Sequence, residues 1–158
     1  MATVSNWRVP RYQVALVRDG SAKWETYPRF ANSREIFLAL KEEMASYDRE
    51  KFFVFTLDCK NKLIGCHEVS TGSLSDSIVH PREVYKAAIL NSAASIILVH
   101  NHPSGDCAPS KEDRDCTNRL VKAGQILGIR VLDHIVIGLE DYFSFCDCGL
   151  MSLGQTEG

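Results

Sequence analysis

Residues 95–120 read "SIILVHNHPSGDCAPSKEDRDCTNRL", and the order of properties along this stretch decides the fold. Ser95–Val99 is a short apolar run in which Ile96, Ile97 and Val99 are β-branched, the composition of a buried strand. Pro103, Gly105 and Pro109 then punctuate a loop. From Ser110 the pattern turns helical, with Leu120, Val121, Ala123 and Leu127 on an inner side and Gly128 at the C-cap position. A buried strand feeding a helix through a tight loop belongs to layered folds that combine sheet and helix.

Working outward, "IRVLDHIVIG" (129–138) and "YFSF" (142–145) continue the sheet, and "PREVYKAAILNS" (81–92) is a helix with Pro81 in its first turn. Upstream, "EKFFVFTLD" (50–58) is a strand that "CKNK" turns into "LIGCHEVS" (63–70). Ile36, Phe37, Leu40 and Met44 recur at helical spacing behind a cap at Asn32 or Ser33, in a helix expected to end near Tyr47 and Asp48. Before it, "YQVALVRD" (12–19) and "KWETYPRF" (23–30) read as strands joined across Asp19-Gly20-Ser21. The expected order is β-β-α-β-β-α-β-α-β-β, an α/β (α+β layered) single domain. Residues 1–49 form a strand and helix segment packed on it, 50–150 the main body, and 151–158 a frayed tail.

A chain of 158 residues suits one core. A net charge of −2 argues against a broad electrostatic footprint for nucleic acid. No apolar run reaches the ~20 residues of a membrane span, and "MATVSNWRVPRYQ" has no apolar signal core, so the cytoplasm is the expected compartment. The six cysteines then read as reduced thiols, and Cys146-x-Cys148 lacks the spacing of a zinc knuckle.

His100 and His102 stand two apart. In extended backbone such residues project to one side, and Pro103 biases His102 toward that conformation. Two imidazoles and a carboxylate make a three-ligand set for Zn²⁺ with a position left over for water. A plainer reading competes: Ser110-x-x-Asp113 has capping-box spacing, and Glu112 and Asp115 suit a solvated helix N-terminus. Spacing alone leaves both open.

"HNHPSGDCAPSKED" resembles the H-x-H-P…S-x-x-D core of the JAMM motif of the JAB/MPN metalloprotease superfamily. "VSTGSLSDSIVHPREVYKAAILNSAASIILVHNHPSG" and "GIRVLDHIVIG" resemble the RadC family in particular, over about residues 50 to 150. The resemblance implies an MPN-type mixed sheet flanked by helices, with zinc held by His100, His102 and Asp113. It implies a metallopeptidase or isopeptidase acting on a protein or peptide through zinc-activated water. It also supplies a general base: "EKFFVFTLD" resembles the family strand that begins with this glutamate, which makes it Glu50, with Glu68 in "CHEVS" as the rival. Ser110 corresponds to the serine that donates to the oxyanion, and a simple N-cap is the other reading of the same hydroxyl.

His134 is expected to be structural, or else a partner that orients a ligand. His80 is expected near a helix cap, and Cys107 to be an ordinary loop thiol. Longer RadC proteins carry an N-terminal helix-hairpin-helix region, and residues 1–50 show no such paired short helices. DNA association, in repair or mobile-element biology and with binding or phosphodiester cleavage, is therefore the lesser expectation. A single zinc also offers less to phosphoryl displacement than paired metals do. Unpaired sheet edges leave a homodimer open.

Overall fold

Strand β1 (Lys51–Leu57) is the hub of the sheet, pairing antiparallel with β2 (Leu63–Thr71) on one side and with β3 (Ser95–Asn101) on the other. The computed structural model describes residues 10–20, 29–72 and 79–151. Beyond β3 the sheet continues through β4 (Arg130–Ile137), parallel to β3, and β5 (Tyr142–Ser144), antiparallel to β4, giving the order β2-β1-β3-β4-β5. Helices α1 (Ser33–Ala45), α2 (Pro81–Leu90) and α3 (Lys111–Leu127) complete the described elements. This is the mixed sheet flanked by helices that the sequence led us to expect.

Alternation along the central strands divides the core in two. Phe53, Phe55 and Leu57 of β1, with Ile97 and Val99 of β3, pack against Ile36, Phe37, Leu40 and Met44 of α1. Phe52 and Val54, with Ile96 and Leu98, pack against Val84, Tyr85 and Ala88 of α2 and Cys116 and Leu120 of α3. At ~25 cal/mol per Å² of apolar surface removed from water, these two layers supply the main drive to fold. The same parity puts His100 on the α3 side with Ile96 and Leu98, and Asn101 on the α1 side with Val99.

The helices begin where the sequence placed them. Asn32 caps α1 by accepting from the Glu35 N–H, and the His80 Nδ1 accepts from the Arg82 N–H at 3.2 Å ahead of Pro81. Ser110 and Asp113 form a reciprocal capping box on α3, and Gly128 closes that helix with φ +70°. β3 runs two residues past the apolar "SIILV" and takes in His100 and Asn101.

Four expectations need correction. The strand expected at 12–19 does not form: residues 10–20 carry no regular structure, and Tyr12, Val14 and Val17 are exposed. A β-prone sequence becomes a strand only with a ladder partner and a face to bury, and this segment has neither among the described residues. Most of its expected partner, 23–28, lies outside the described residues, and Arg29 makes an isolated bridge to Lys62. Helix α1 stops at Ala45 rather than near Tyr47, since Ser46 turns its hydroxyl and N–H back onto the Glu43 carbonyl. Leu127 is exposed rather than inward. The inner stripe of α3 ends one turn earlier at Gly124, where a Cβ would stand 2.4 Å from both the Tyr85 hydroxyl and the Ile129 carbonyl. Met151, the first residue of the tail expected at 151–158, is buried in the core layer on the α3 side rather than frayed, and 152–158 lie outside the described residues.

Candidate metal centre

Four side chains from three places in the chain meet at the end of β3. Glu50 immediately precedes β1, His100 lies on β3, His102 lies just past it, and Asp113 sits in the first turn of α3. One ligand atom from each lies within 4.8 Å of all the others. His100 Nε2 is 3.2 Å from Asp113 Oδ1, and His102 Nε2 is 3.3 Å from Asp113 Oδ2. The two Nε2 atoms are 3.0 Å apart, and Glu50 Oε1 is 3.7 Å from each of them.

Each group is held by something identifiable. The main-chain N–H of Ser110 donates to Asp113 Oδ2 at 2.7 Å, and the Asp113 N–H donates to Ser110 Oγ at 3.0 Å. The capping-box reading of Asp113 is thus borne out, and the same box holds its carboxylate against the two imidazoles. His102 Nδ1 lies 2.7 Å from the main-chain carbonyl of Asp106. A carbonyl only accepts, so that nitrogen carries the proton and Nε2 of the neutral ring presents a lone pair. His100 is fully buried, stacked on Phe52, with Nδ1 at 2.8 Å from Nε2 of His134.

Glu50 is fixed by a residue that the sequence reading passed over. The Asn101 side chain accepts from the Lys51 N–H at 2.8 Å and donates to the Arg49 carbonyl at 3.1 Å, clamping the main chain on both sides of Glu50. The signal for it was a polar residue at the strand position after two core residues of the same face, Ile97 and Val99. Thr117 was also missed. It lies one helical turn after Asp113, donates to the Asp113 carbonyl and touches His134 Nδ1, both at 2.6 Å. Glu68 is elsewhere: it takes the Lys51 ammonium at 3.0 Å and the Thr71 hydroxyl.

The electrostatics follow from this packing. Burial alone would raise the Asp113 carboxyl, but the adjacent His100 and His102 imidazoles outweigh it and hold the acid well below the usual carboxylate range. Hydrogen bonding to Asp113 raises His102 above its ordinary value. Burial, and then the neighbouring His100, push His134 well below 6.5. Burial raises the Cys107 thiol, which is half-buried in the loop, and all six cysteines are free.

Two carboxylates bring only acceptors to this point, and His102 has committed its proton to Asp106. A cation satisfies that donor set, and imidazole with carboxylate is a fitting set for a borderline divalent metal. An open cleft of about 390 Å³, lined by Glu50, His102, Pro103, Ser104, Ser110, Glu112 and Asp113, leads to it.

A profile of the RadC-like JAB domain matches residues 30–150. The chain belongs to the RadC-like JAB family. A UPF0758 protein of Geotalea uraniireducens (strain Rf4) is 48% identical over 134 residues, which are 85% of this chain and 59% of the relative. One from Caldanaerobacter subterraneus subsp. tengcongensis is 60% identical over 104 residues, 66% of this chain and 45% of the relative. One from Trichlorobacter lovleyi is 50% identical over 127 residues, 80% of this chain and 55% of the relative. The chain therefore spans about half the length of the curated relatives it matches. The family match takes in α1, whose apolar face packs on the sheet. Among the described residues no helix is long and apolar enough to cross a membrane.

Proposed function

We propose that this RadC-like JAB domain is a zinc metallopeptidase or isopeptidase that hydrolyses a protein or peptide substrate. The observation that carries the reading is the convergence of a carboxylate, Glu50, on a three-residue ligand set at the inner end of an open cleft. His100, His102 and Asp113 would hold the ion. Zinc, when bound, supplies Lewis acidity that acidifies water and polarises a carbonyl.

The chain's own residues do the rest. Glu50 takes the proton of the attacking water and returns it to the leaving amine, a role that needs a carboxylate within hydrogen-bond reach of the nucleophile. The Asn101 clamp keeps it there. Ser110 spends its oxygen lone pair on the Asp113 N–H, which leaves its own hydroxyl proton free to donate to the oxyanion as negative charge develops. Capping and oxyanion support therefore coexist in one hydroxyl.

The test incubates zinc-loaded protein with a denatured-proteome peptide library and, separately, with single- and double-stranded DNA, each beside His100→Ala. Zinc-dependent peptide cleavage absent from the variant is the expected result. Glu50→Gln should retain zinc and lose about 10²–10⁴-fold in turnover, because an amide keeps the shape and cannot accept the proton. Metal-dependent DNA nicking, lost in His100→Ala and unaccompanied by peptide cleavage, would replace this reading with a DNA-directed one.

A further inference from the structure

His134 is the one imidazole that reaches the centre from beneath, and β4 is bent to bring it there. Val131 belongs to the core layer on the α3 side and Leu132 to the layer on the α1 side. Uninterrupted alternation would send His134 and Val136 to the α1 side with Leu132. The β3–β4 register instead steps from Ile96↔Val131 to Ile97↔Asp133, so that β4 carries one extra residue. After that bulge Ile135 and Ile137 face α1, while Val136 and the fully buried His134 face α3. Bulges beside functional sites re-aim side chains in this way. The displaced Asp133 is held separately, taking the Ser144 hydroxyl at 2.6 Å and the Cys146 N–H at 2.9 Å.

What the re-aimed ring does follows from counting protons, given the metal-holding role of His100 proposed above. When His100 Nε2 gives its lone pair to a metal, the ring proton is on Nδ1, which lies 2.8 Å from His134 Nε2. His134 Nε2 must then accept, so the His134 proton is on Nδ1, 2.6 Å from Thr117 Oγ1. Thr117 accepts it and directs its single hydroxyl proton to the Asp113 main-chain carbonyl, also at 2.6 Å. Asp113 is itself in the ligand set. Phe145, stacked on His134 at 5.0 Å, and Phe52, edge-on at 5.4 Å, keep water from intervening.

We infer that His134 and Thr117 are positioning residues that lock His100 in its metal-binding tautomer, closing a buried ring of hydrogen bonds from one ligand, His100, to another, Asp113. Reversing every proton in the ring would put an N–H on His100 Nε2 and leave no lone pair for the ion. The Thr117 hydroxyl, pinned by a carbonyl that can only accept, selects the productive direction. His102 has the simpler and commoner arrangement, a main-chain carbonyl on its far nitrogen.

The experiment compares zinc affinity and imidazole nitrogen NMR of the full chain, Thr117→Val and Thr117→Ser, with His134→Ala as a further variant. Thr117→Val preserves volume and removes the hydroxyl, and should weaken zinc about 10–100-fold, the range for such supporting partners. Thr117→Ser should restore it. In zinc-loaded wild type both His100 and His134 should carry their protons on Nδ1. A His134 proton on Nε2, or Thr117→Val binding zinc as tightly as wild type, would overturn the inference while leaving the proposed function standing. Wild type that takes up no zinc would overturn both. Melting of the metal-free variants distinguishes a lost ring from a lost fold.

Discussion

The two histidines of one short motif are held in opposite ways. His100 is floor: fully buried, stacked on Phe52, its far nitrogen against His134 in the core. His102 is rim: its side chain is 16% exposed, and its far nitrogen leans on the Asp106 carbonyl in a loop. The difference teaches that this centre is half core and half surface. On the proposed function the floor would fix where an ion sits, and the rim, which lines the cleft together with Glu50, would face substrate and water.

The sharpest way to break that contrast is to remove each ring in turn. Both His100→Ala and His102→Ala should lose tight zinc, so metal analysis alone will not separate them. Stability of the chelator-stripped protein will. His100→Ala leaves a cavity beside Phe52 and an unmatched nitrogen on His134, and should cost about 2–4 kcal/mol in a denaturant titration. His102→Ala removes a partly solvated ring and should cost about 1 kcal/mol or less. Equal costs would mean that the floor is no more committed to the fold than the rim.

Protons test the rim next. Hydrogen bonding to Asp113 raises the pKa of His102 above 6.5, so the metal-free fold keeps a proton on this ring to higher pH than a free imidazole would. Zinc must displace that proton. Affinity should therefore be level at high pH and begin to fall while the pH is still above 6.5, by about tenfold per pH unit once the ring is protonated. A titration by competition with a chromogenic chelator reads this directly. A fall that begins only below 6.5 would show that Asp113 does not hold the His102 proton.

Much of this arrangement was legible in the chain, and the parts that were not share a cause. "SIILVHNHPSGDCAPS" announced a strand running into two histidines and then a helix start, because apolar run, proline and capping serine are local signals. "YQVALVRD" carries an equally strand-like pattern and forms no strand, since pairing is a property of the partner as much as of the segment. Asn101 and Thr117 escaped notice because their roles depend on which face they present and what stands opposite. His134 could be suspected of orienting a ligand, but its direction depends on a bulge in β4 that no residue type marks.

A smaller effect should come from the loop that carries the rim. Gly105 has φ +86°, its N–H donates to the His102 carbonyl, and a Cβ there would lie 3.2 Å from the Leu139 Cβ. Gly105→Ala imposes strain of roughly 1–2 kcal/mol on the turn that presents the Asp106 carbonyl. If about 1.4 kcal/mol of this reaches the site, zinc binding weakens about tenfold. The His134 signal in the nitrogen NMR spectrum should stay put, because that ring is held by His100 and Thr117 in the core. Movement of the His134 signal would show that floor and rim are one rigid unit.

The smallest expected effect belongs to Glu68→Gln, and its size decides which strand supplies the base. Glu68 pairs with Lys51 at a surface where its side chain is 41% exposed, and such pairs contribute about 0–1 kcal/mol. Its carboxyl lies low despite partial burial, because the Thr71 hydroxyl and the Lys51 ammonium favour the charged form. Glutamine still accepts from Thr71 and loses only the charge opposite Lys51. Lys51 also lies 4.4 Å from the Tyr47 ring centroid, a second contact that holds its ammonium when the first weakens. Since Asn101 clamps the main chain of Lys51 independently of that side chain, Glu50 should stay in place. Turnover and zinc content should therefore stay close to wild type in Glu68→Gln, while Glu50→Gln is nearly inactive with its zinc intact. The opposite ordering, measured on whichever substrate the peptide library yields, would move the proton-transfer role from the start of β1 to β2 and leave Glu50 as a fourth ligand.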